Sequence, residues 1–380
     1  MLNTDMRTAF DADHHTFRDT VRRFFERALL PNMARWERDR NIDRAFWRAA
    51  GEAGLLCPTA PEDYGGLGLD FRYNAVIGEE LGYAGCSAGI RLHSDIVAGY
   101  LVNYGSEAQK CQWLPRMISG EVISAIAMSE PGAGSDLKAV RTTAAADGDD
   151  YVVNGSKTYI TNGQNADLVI VVVKTDPAAR AKGITLLLVE ASRAGFVRGR
   201  KLDKIGQHAA DTSELFFQDM RVPISNRLGD EGSGFSYLMN QLPQERLSIA
   251  LCTQASAQRA FDEALGFTKH RRAFGKAVFE FQNTRFELAD LAAKLQVGWA
   301  HLDWALTRHV AGKLTAAEAS AAKLWHSELQ WEACDRALQL HGGAGYMNEY
   351  PIARLWRDAR VNRIYGGTSE IMKEIIGRSL

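Results

Sequence analysis

The spacing of apolar residues changes twice along the chain, and this double change restricts the fold more than any single motif. From about residue 12 to 120 the spacing is helical, as in Phe17, Val21, Phe24, Ala28 and Leu29. Turn clusters such as Pro61–Asp70 interrupt it. From about 121 to 228 the segments VISAIAM, DYVVNG, KTYITNG, LVIVVV, ITLLLVE and SELFFQDM are short and rich in β-branched residues, which predicts strands. Asn154-Gly155 lies between two of them and predicts a hairpin turn. From about 235 onward long amphipathic helices return, including one over residues 285–310 and one over 316–340. The expectation is an α+β chain with domains over 1–120, 121–228 and 229–380, the strands lying between two helical regions.

Composition excludes several classes. A chain of 380 residues is long enough for two or three domains. A net charge of -1 leaves no electrostatic footprint for nucleic acid or an anionic membrane. The longest apolar run, Leu168 to Val173, is far too short to cross a bilayer and reads as a buried strand. The five cysteines are scattered and form no C-x-x-C pair, which argues against structural zinc and a disulfide framework and for a reducing compartment. The arginine-rich N-terminus also carries Asp5, Asp11, Asp13, Asp19 and Glu26, unlike an acid-poor transit peptide, so a cytoplasmic protein is expected.

Several segments have residues suited to chemistry, each with a plainer reading beside it. Ala127–Leu137, AMSEPGAGSDL, follows a strand and is glycine-rich; its backbone N–H groups suit a flavin edge or pyrophosphate, or it is an ordinary loop. In Gly155–Gly163, GSKTYITNG, Tyr159 reads alone as core or surface packing. His270–Phe286 begins with a basic run that suits a helix C-terminus. Gly342-Gly343 reads as a helix C-cap and turn. In Leu242–Leu247, LPQERL, Pro243 is best tolerated in a first helical turn, which would place Glu245 there too. The helix dipole would then lower the Glu245 pKa while burial raises it, and burial is expected to win.

The segment LQLHGGAGYMNEYPIARLWRDARVNRIYGGTSEIM, Leu338 to Met372, resembles the C-terminal signature of the acyl-CoA dehydrogenase family, and the order helices, strands, helices extends the resemblance over nearly the whole chain. It implies an N-terminal helical domain, a central β-barrel or sandwich and a C-terminal four-helix bundle. Most members carry their catalytic glutamate where this chain has Gly366. A subset, including long-chain and isovaleryl-type enzymes, places it at the LPQERL position, which implies Glu245 as the base; the Gly366 backbone N–H would still hold the thioester carbonyl. The implied cofactor is FAD. Ser129 would meet the pyrimidine side of the flavin and Ser135 its phosphates or the substrate's pantetheine arm. Thr161 would contact N5 and O4, and Tyr159 would cover the face away from substrate. Arg271, Phe274 and Gln282 would hold the adenine-diphosphate half in a neighbouring subunit, with Gln339, Gly342 and Gly343 at the same half. Thr368 and Glu370 would lie at a second FAD region. Arg246 is read with the substrate-binding residues, positioning Glu245 or a nearby loop, with an ordinary surface ion pair as the plainer alternative. Ala88, Gly89 and Leu92 would floor an acyl pocket open to long or branched chains, although Ala88 and Gly89 equally suit close helix packing.

The resemblance thus implies an acyl-CoA substrate, electrons passed to an electron-transferring flavoprotein, and a homotetramer built as a dimer of dimers. Three departures stand out: serine at 129 for the commoner threonine, tyrosine at 159 for tryptophan, and His208 and Ala210 where many relatives have arginine and serine. The last leaves an acyl-carrier-protein substrate open. An oxygen-using relative, such as an acyl-CoA oxidase or flavin monooxygenase, and a non-catalytic flavoprotein are the other readings.

Overall fold

The structure, a computed structural model, describes residues 7–380; Asp5, one of the acids weighed against a transit peptide, lies outside them. The first region consists of α1 (Ala12–Phe24), α2 (Met33–Asp39), α3 (Arg44–Glu52), α4 (Phe71–Ala84), α5 (Ala98–Tyr104) and α6 (Glu107–Ile118). The N-terminal arginines have a structural use. Buried Arg18 donates to both Glu79 and Glu80 of α4, and Arg7 spans from Glu79 to Asp303.

Eight strands follow: β1 (Ser124–Ala127), β2 (Thr143–Asp147), β3 (Asp150–Thr161), β4 (Leu168–Lys174), β5 (Ile184–Glu190), β6 (Phe196–Lys201), β7 (Thr212–Pro223) and β8 (Arg227–Leu228). They form one mixed sheet ordered β6-β7-β3-β2-β4-β5-β8. One edge of β4 takes β1 along Leu168–Val171 and β2 at Lys174, so the sheet changes partner there. Its two halves share a core: Val153 and Phe217 pack in one cluster with Val169, Val171 and Leu187, as in a sandwich. The alternate residues Leu168, Ile170 and Val172 face Leu101, Trp113 and Leu238 of the helices. Both faces of β4 are therefore covered, which is why its sequence is continuously apolar instead of alternating.

The hairpin expected at Asn154-Gly155 is absent. β3 runs through it, and the turn into β3 lies at Gly148, whose φ is +63°. Asn154-Gly155 instead forms a bulge opposite β7. A Cβ on Gly155 would lie 2.5 Å from Thr142 Oγ1, so glycine there answers a close approach of backbone. A second irregularity, between Lys157 and Ile160, turns Tyr159 outward with φ +61°.

The last region has three long helices, α7 (Gly234–His270), α8 (Gln282–Val310) and α9 (Ala316–His341), then α10 (Pro351–Ala359) and α11 (Ser369–Gly377). A small hairpin, β9 (Arg272–Ala273) with β10 (Lys276–Ala277), joins α7 to α8. Ile352, Leu355 and Ala359 of α10 pack in the α7–α9 core, so a short helix fills the fourth side of the bundle. Among the described residues, no helix is long and apolar enough to cross a membrane, and no cluster of His, Cys, Asp and Glu could hold a metal ion.

Candidate active site

A cavity of about 670 Å³ opens where the three regions meet. Ser129, Tyr159 and Thr161 from the sheet, Glu245 from α7 and Gly366 from the loop before α11 all line it.

Glu245 does not lie in a first turn. α7 begins nine residues before Pro243, at Gly234, so the proline sits inside the helix. Proline had suggested a helix start because its missing N–H is least costly there; here the flanking helix is fixed by buried contacts such as Leu238, which override that preference. The helix dipole therefore has no special hold on Glu245. Burial pushes its pKa up to about 7, opposed by a hydrogen bond from Tyr100 and by the Arg246 charge. The Tyr100 hydroxyl donates to Glu245 Oε1 at 3.0 Å, and Tyr100 itself is fully buried. Sequence reasoning missed this residue. Only its aromatic character was visible, and the contact spans 145 positions.

Arg246 is buried, and among the described residues no carboxylate lies within 4.0 Å of its guanidinium; its Nε donates to the Gly366 carbonyl at 3.3 Å. Lys323 Nζ donates to the Gly367 carbonyl at 2.7 Å. Two cations thus fix the carbonyls of this loop, which presents its backbone to the cavity. Gly366 has φ +67°, and a Cβ there would meet Ile249 Cδ1 at 2.4 Å. The position is therefore constrained both by backbone and by space, and a side chain there needs Ile249 to yield.

The flavin-loop residues come together. Ser129 and Ser135 lie on the cavity wall, and buried Lys157 anchors their loop by donating to Glu130 Oε1 at 2.9 Å and to the Met128 carbonyl at 3.1 Å. Tyr159 is 71% exposed, its ring offered to the cavity by the bulge in β3. Ala88, Gly89 and Leu92 also line the cavity; Ala88 and Gly89 belong to the loop after α4, and Leu92 to the helical stretch that follows. A Cβ on Gly89 would lie 2.1 Å from Asn162 Oδ1, so this glycine permits the helical region to touch the sheet.

Other predicted residues lie elsewhere. Arg271 and Phe274 are on the β9–β10 segment and Gln282 starts α8; all are exposed, Phe274 at 95% with φ +50°. Gln339 and Gly343 are exposed near the end of α9, and Gly342 is its C-cap with φ +58°. Thr368 caps α11 and Glu370 is exposed in its first turn; neither lines the cavity. His341, at the end of α9, bonds the Ala337 carbonyl at 2.7 Å. His208 bonds the Lys204 carbonyl at 2.9 Å and Ala210 is buried, both outside the cavity wall.

Family models for the acyl-CoA dehydrogenase N-terminal, middle and C-terminal domains match residues 11–121, 125–220 and 232–380. The chain belongs to the acyl-CoA dehydrogenase family. It is 49% identical to the mitochondrial long-chain specific acyl-CoA dehydrogenase of Sus scrofa, covering 100% of this chain and 89% of that protein. It is 38% identical to the mitochondrial isovaleryl-CoA dehydrogenase of Oryza sativa subsp. japonica, over 98% and 92% of the two chains. The crystal structure of acyl-CoA dehydrogenase from Geobacillus kaustophilus superposes with a TM-score of 0.97 at 50% identity, over 98% and 99%. The acyl-CoA dehydrogenase fold expected from the signature is thus the fold found, and the family is FAD-dependent.

Proposed function

We propose that the chain removes the α-proton and β-hydride of an acyl-CoA thioester, giving the 2-enoyl thioester, with Glu245 as base. The observation carrying this reading is a carboxylate on α7, Glu245, buried on the cavity wall with a pKa near 7 while position 366 has no side chain. Such a pKa suits a general base at neutral pH, because the group is ionised in about half the molecules yet still basic.

The residues present fit an isoalloxazine ring. A left-handed tyrosine offers its ring to the cavity, hydroxyls at Ser129 and Thr161 stand beside it, and Gly132 and Gly134 leave open space where a Cβ would go. FAD, when bound, supplies the acceptor for the β-hydride. The chain's own part is to orient and to move one proton. Ser129 and Thr161 hydrogen-bond the ring, and Tyr159 covers its far face. Ser135 meets the phosphates or the pantetheine arm. The Gly366 N–H polarises the thioester carbonyl, so that negative charge developing on its oxygen is stabilised as Glu245 takes the proton. Arg246 holds the Gly366 loop in register with Glu245. Thr368 and Glu370, outside the cavity wall, meet a second region of FAD. Ala88, Gly89 and Leu92 bound the acyl chain.

Arg271, Phe274 and Gln282, with Gln339, Gly342 and Gly343, serve the adenine half of a neighbouring subunit's FAD in a homotetramer. The exposure of Phe274 in a strained left-handed conformation supports that part. Electrons leave to an electron-transferring flavoprotein. Four of five free cysteines are at least partly buried and one is exposed, which fits a reducing, cytoplasmic setting.

The test is anaerobic bleaching of the purified flavoprotein by a panel of acyl-CoAs. Bleaching by at least one member, abolished in Glu245→Gln with flavin retained, is the expected result. Bleaching that survives in that variant would overturn the assignment of the base.

A further inference from the structure

The reaction needs no cation in the acyl part of the cavity, yet one is there. Arg91 lines the cavity together with Leu92, Ile96 and Ile249. Among the described residues no carboxylate lies within 4.0 Å of its guanidinium, in contrast to Arg7, Arg18 and Arg22 on the outer helices. Its Nη1 donates to Ser248 Oγ at 3.2 Å, and the Tyr365 phenol, next in sequence to Gly366, stands beside it. The nearest acid, Asp95, is already engaged. Its Oδ1 accepts from Asn74 Nδ2 at 2.8 Å, and its Oδ2 accepts from the Ser248 hydroxyl. A guanidinium has five N–H donors, so most of its capacity is unused by these partners. Arg91 is half-buried, and holding such a group against a cavity wall without a direct counter-charge is costly, whereas apolar side chains would wall a purely hydrocarbon pocket more cheaply.

The position along α7 gives the scale. Ser248 follows Glu245 by three residues, and Cys252, also on the cavity wall, follows by seven. At ~1.5 Å of rise per residue, the guanidinium lies roughly one helical turn beyond the base. A group held there would sit several bonds past the carbon that loses its proton.

We propose that Arg91 is a specificity residue that binds a carboxylate carried on the acyl chain beyond the reacting carbons, so that the substrates include thioesters of dicarboxylic acids. The planar fork suits a carboxylate, which can accept two of its N–H groups in parallel. Ser248 orients the fork by accepting from it while donating to Asp95. This inference rests on the α,β-dehydrogenation reading, and its test separates the two.

The experiment uses the flavin-loaded protein and pairs of thioesters matched in chain length: hexanoyl-CoA with adipoyl-CoA, and octanoyl-CoA with suberoyl-CoA. Binding is read first in Glu245→Gln, where turnover is blocked, from the perturbation of the flavin spectrum; kcat/KM is then read in the parent protein. The expected result is tighter binding and higher kcat/KM for the ω-carboxylated member of at least one pair, by ~10-fold or more, the scale of a charge-assisted hydrogen bond. Arg91→Gln should erase that ratio, and Arg91→Lys, which keeps the charge but not the fork, should keep part of it. Asp95→Asn combined with Arg91→Gln removes both charges, so a loss of the ratio in that variant at parental melting temperature is not a folding effect. A preference for the plain chain in both pairs, or Arg91 variants that weaken both members of a pair equally, would overturn the proposal and leave Arg91 as the counter-charge of Asp95. Failure of every thioester to bleach the parent flavin would instead strike the dehydrogenation reading.

Discussion

The cavity wall and the β9–β10 hairpin are built in opposite ways, although both carry residues of the same family motifs. On the wall, polar groups are buried and answered within the chain: Glu245 by Tyr100, the Gly366 carbonyl by Arg246 and the Gly367 carbonyl by Lys323. On the hairpin, Phe274 is 95% exposed and Arg271 is exposed too. A buried polar group must find its partner in its own fold or lose its hydration unrewarded, whereas an exposed one is satisfied by water and remains available. The contrast fits chemistry that one chain assembles alone and a cofactor grip that a second copy completes.

The largest effect should come from the base. Glu245→Gln is expected to lower the rate of flavin bleaching by at least ~100-fold while flavin content stays at the parental level, since a general base contributes about that factor or more. The same variant should be more stable than the parent above pH 7. The raised Glu245 pKa means that the folded state binds the proton more tightly than the unfolded chain, so the carboxyl costs stability progressively as pH rises from about 4.5 through about 7. Thermal melts at pH 5 and pH 8 check this: the advantage of Gln should appear at the higher pH.

The hairpin should respond in the reverse sense. Arg271→Ala with Phe274→Ala should lower flavin retention by ~10-fold, as expected when a charge-assisted hydrogen bond is lost. Light scattering should show smaller assemblies at low concentration, while the melting temperature of the flavin-free chain hardly moves. Equal damage to the flavin-free chain would break the contrast between the two regions.

Moving the carboxylate to the other family position should fail by itself. Glu245→Gln with Gly366→Glu is expected to hold flavin yet remain inactive, because a Cβ at 366 meets Ile249 Cδ1 at 2.4 Å in a left-handed backbone. Adding Ile249→Ala should recover measurable bleaching. Activity in the double variant without that relief would show the loop to be more pliant than its two cation contacts imply.

The smallest effect concerns Tyr100. Its hydrogen bond lowers the Glu245 pKa against the larger effect of burial, with Arg246 the other charged neighbour and Tyr104 beside the phenol. Tyr100→Phe should therefore shift the acidic limb of the kcat/KM profile to higher pH, with the plateau at high pH reduced only a few-fold, as for loss of one neutral hydrogen bond. An unshifted limb would mean that the tyrosine merely packs.

Much of this architecture was legible in the sequence, and the misses share a cause. The strand run Leu168–Val173 and the two helices after residue 280 were visible because their periodicity is set by burial over many residues. Asn154-Gly155 and Pro243 were misread because local turn and helix-start preferences are worth little against tertiary contacts. Gly155 answers the approach of Thr142, and Pro243 is carried by a helix whose flanks are buried.

The sequence by itself determined the order of helical and strand regions, the family, the lack of a carboxylate at 366 and the candidate at 245. Those follow from residue identity and from periodicities that repeat within a few positions. Only the tertiary structure decided that Glu245 sits mid-helix under Tyr100, that Ile249 crowds position 366, and that Arg91 lines the same cavity with no carboxylate of the described residues within 4.0 Å. Each of those depends on which distant segments touch, and desolvation and steric contact are properties of that meeting, which no single stretch of chain encodes.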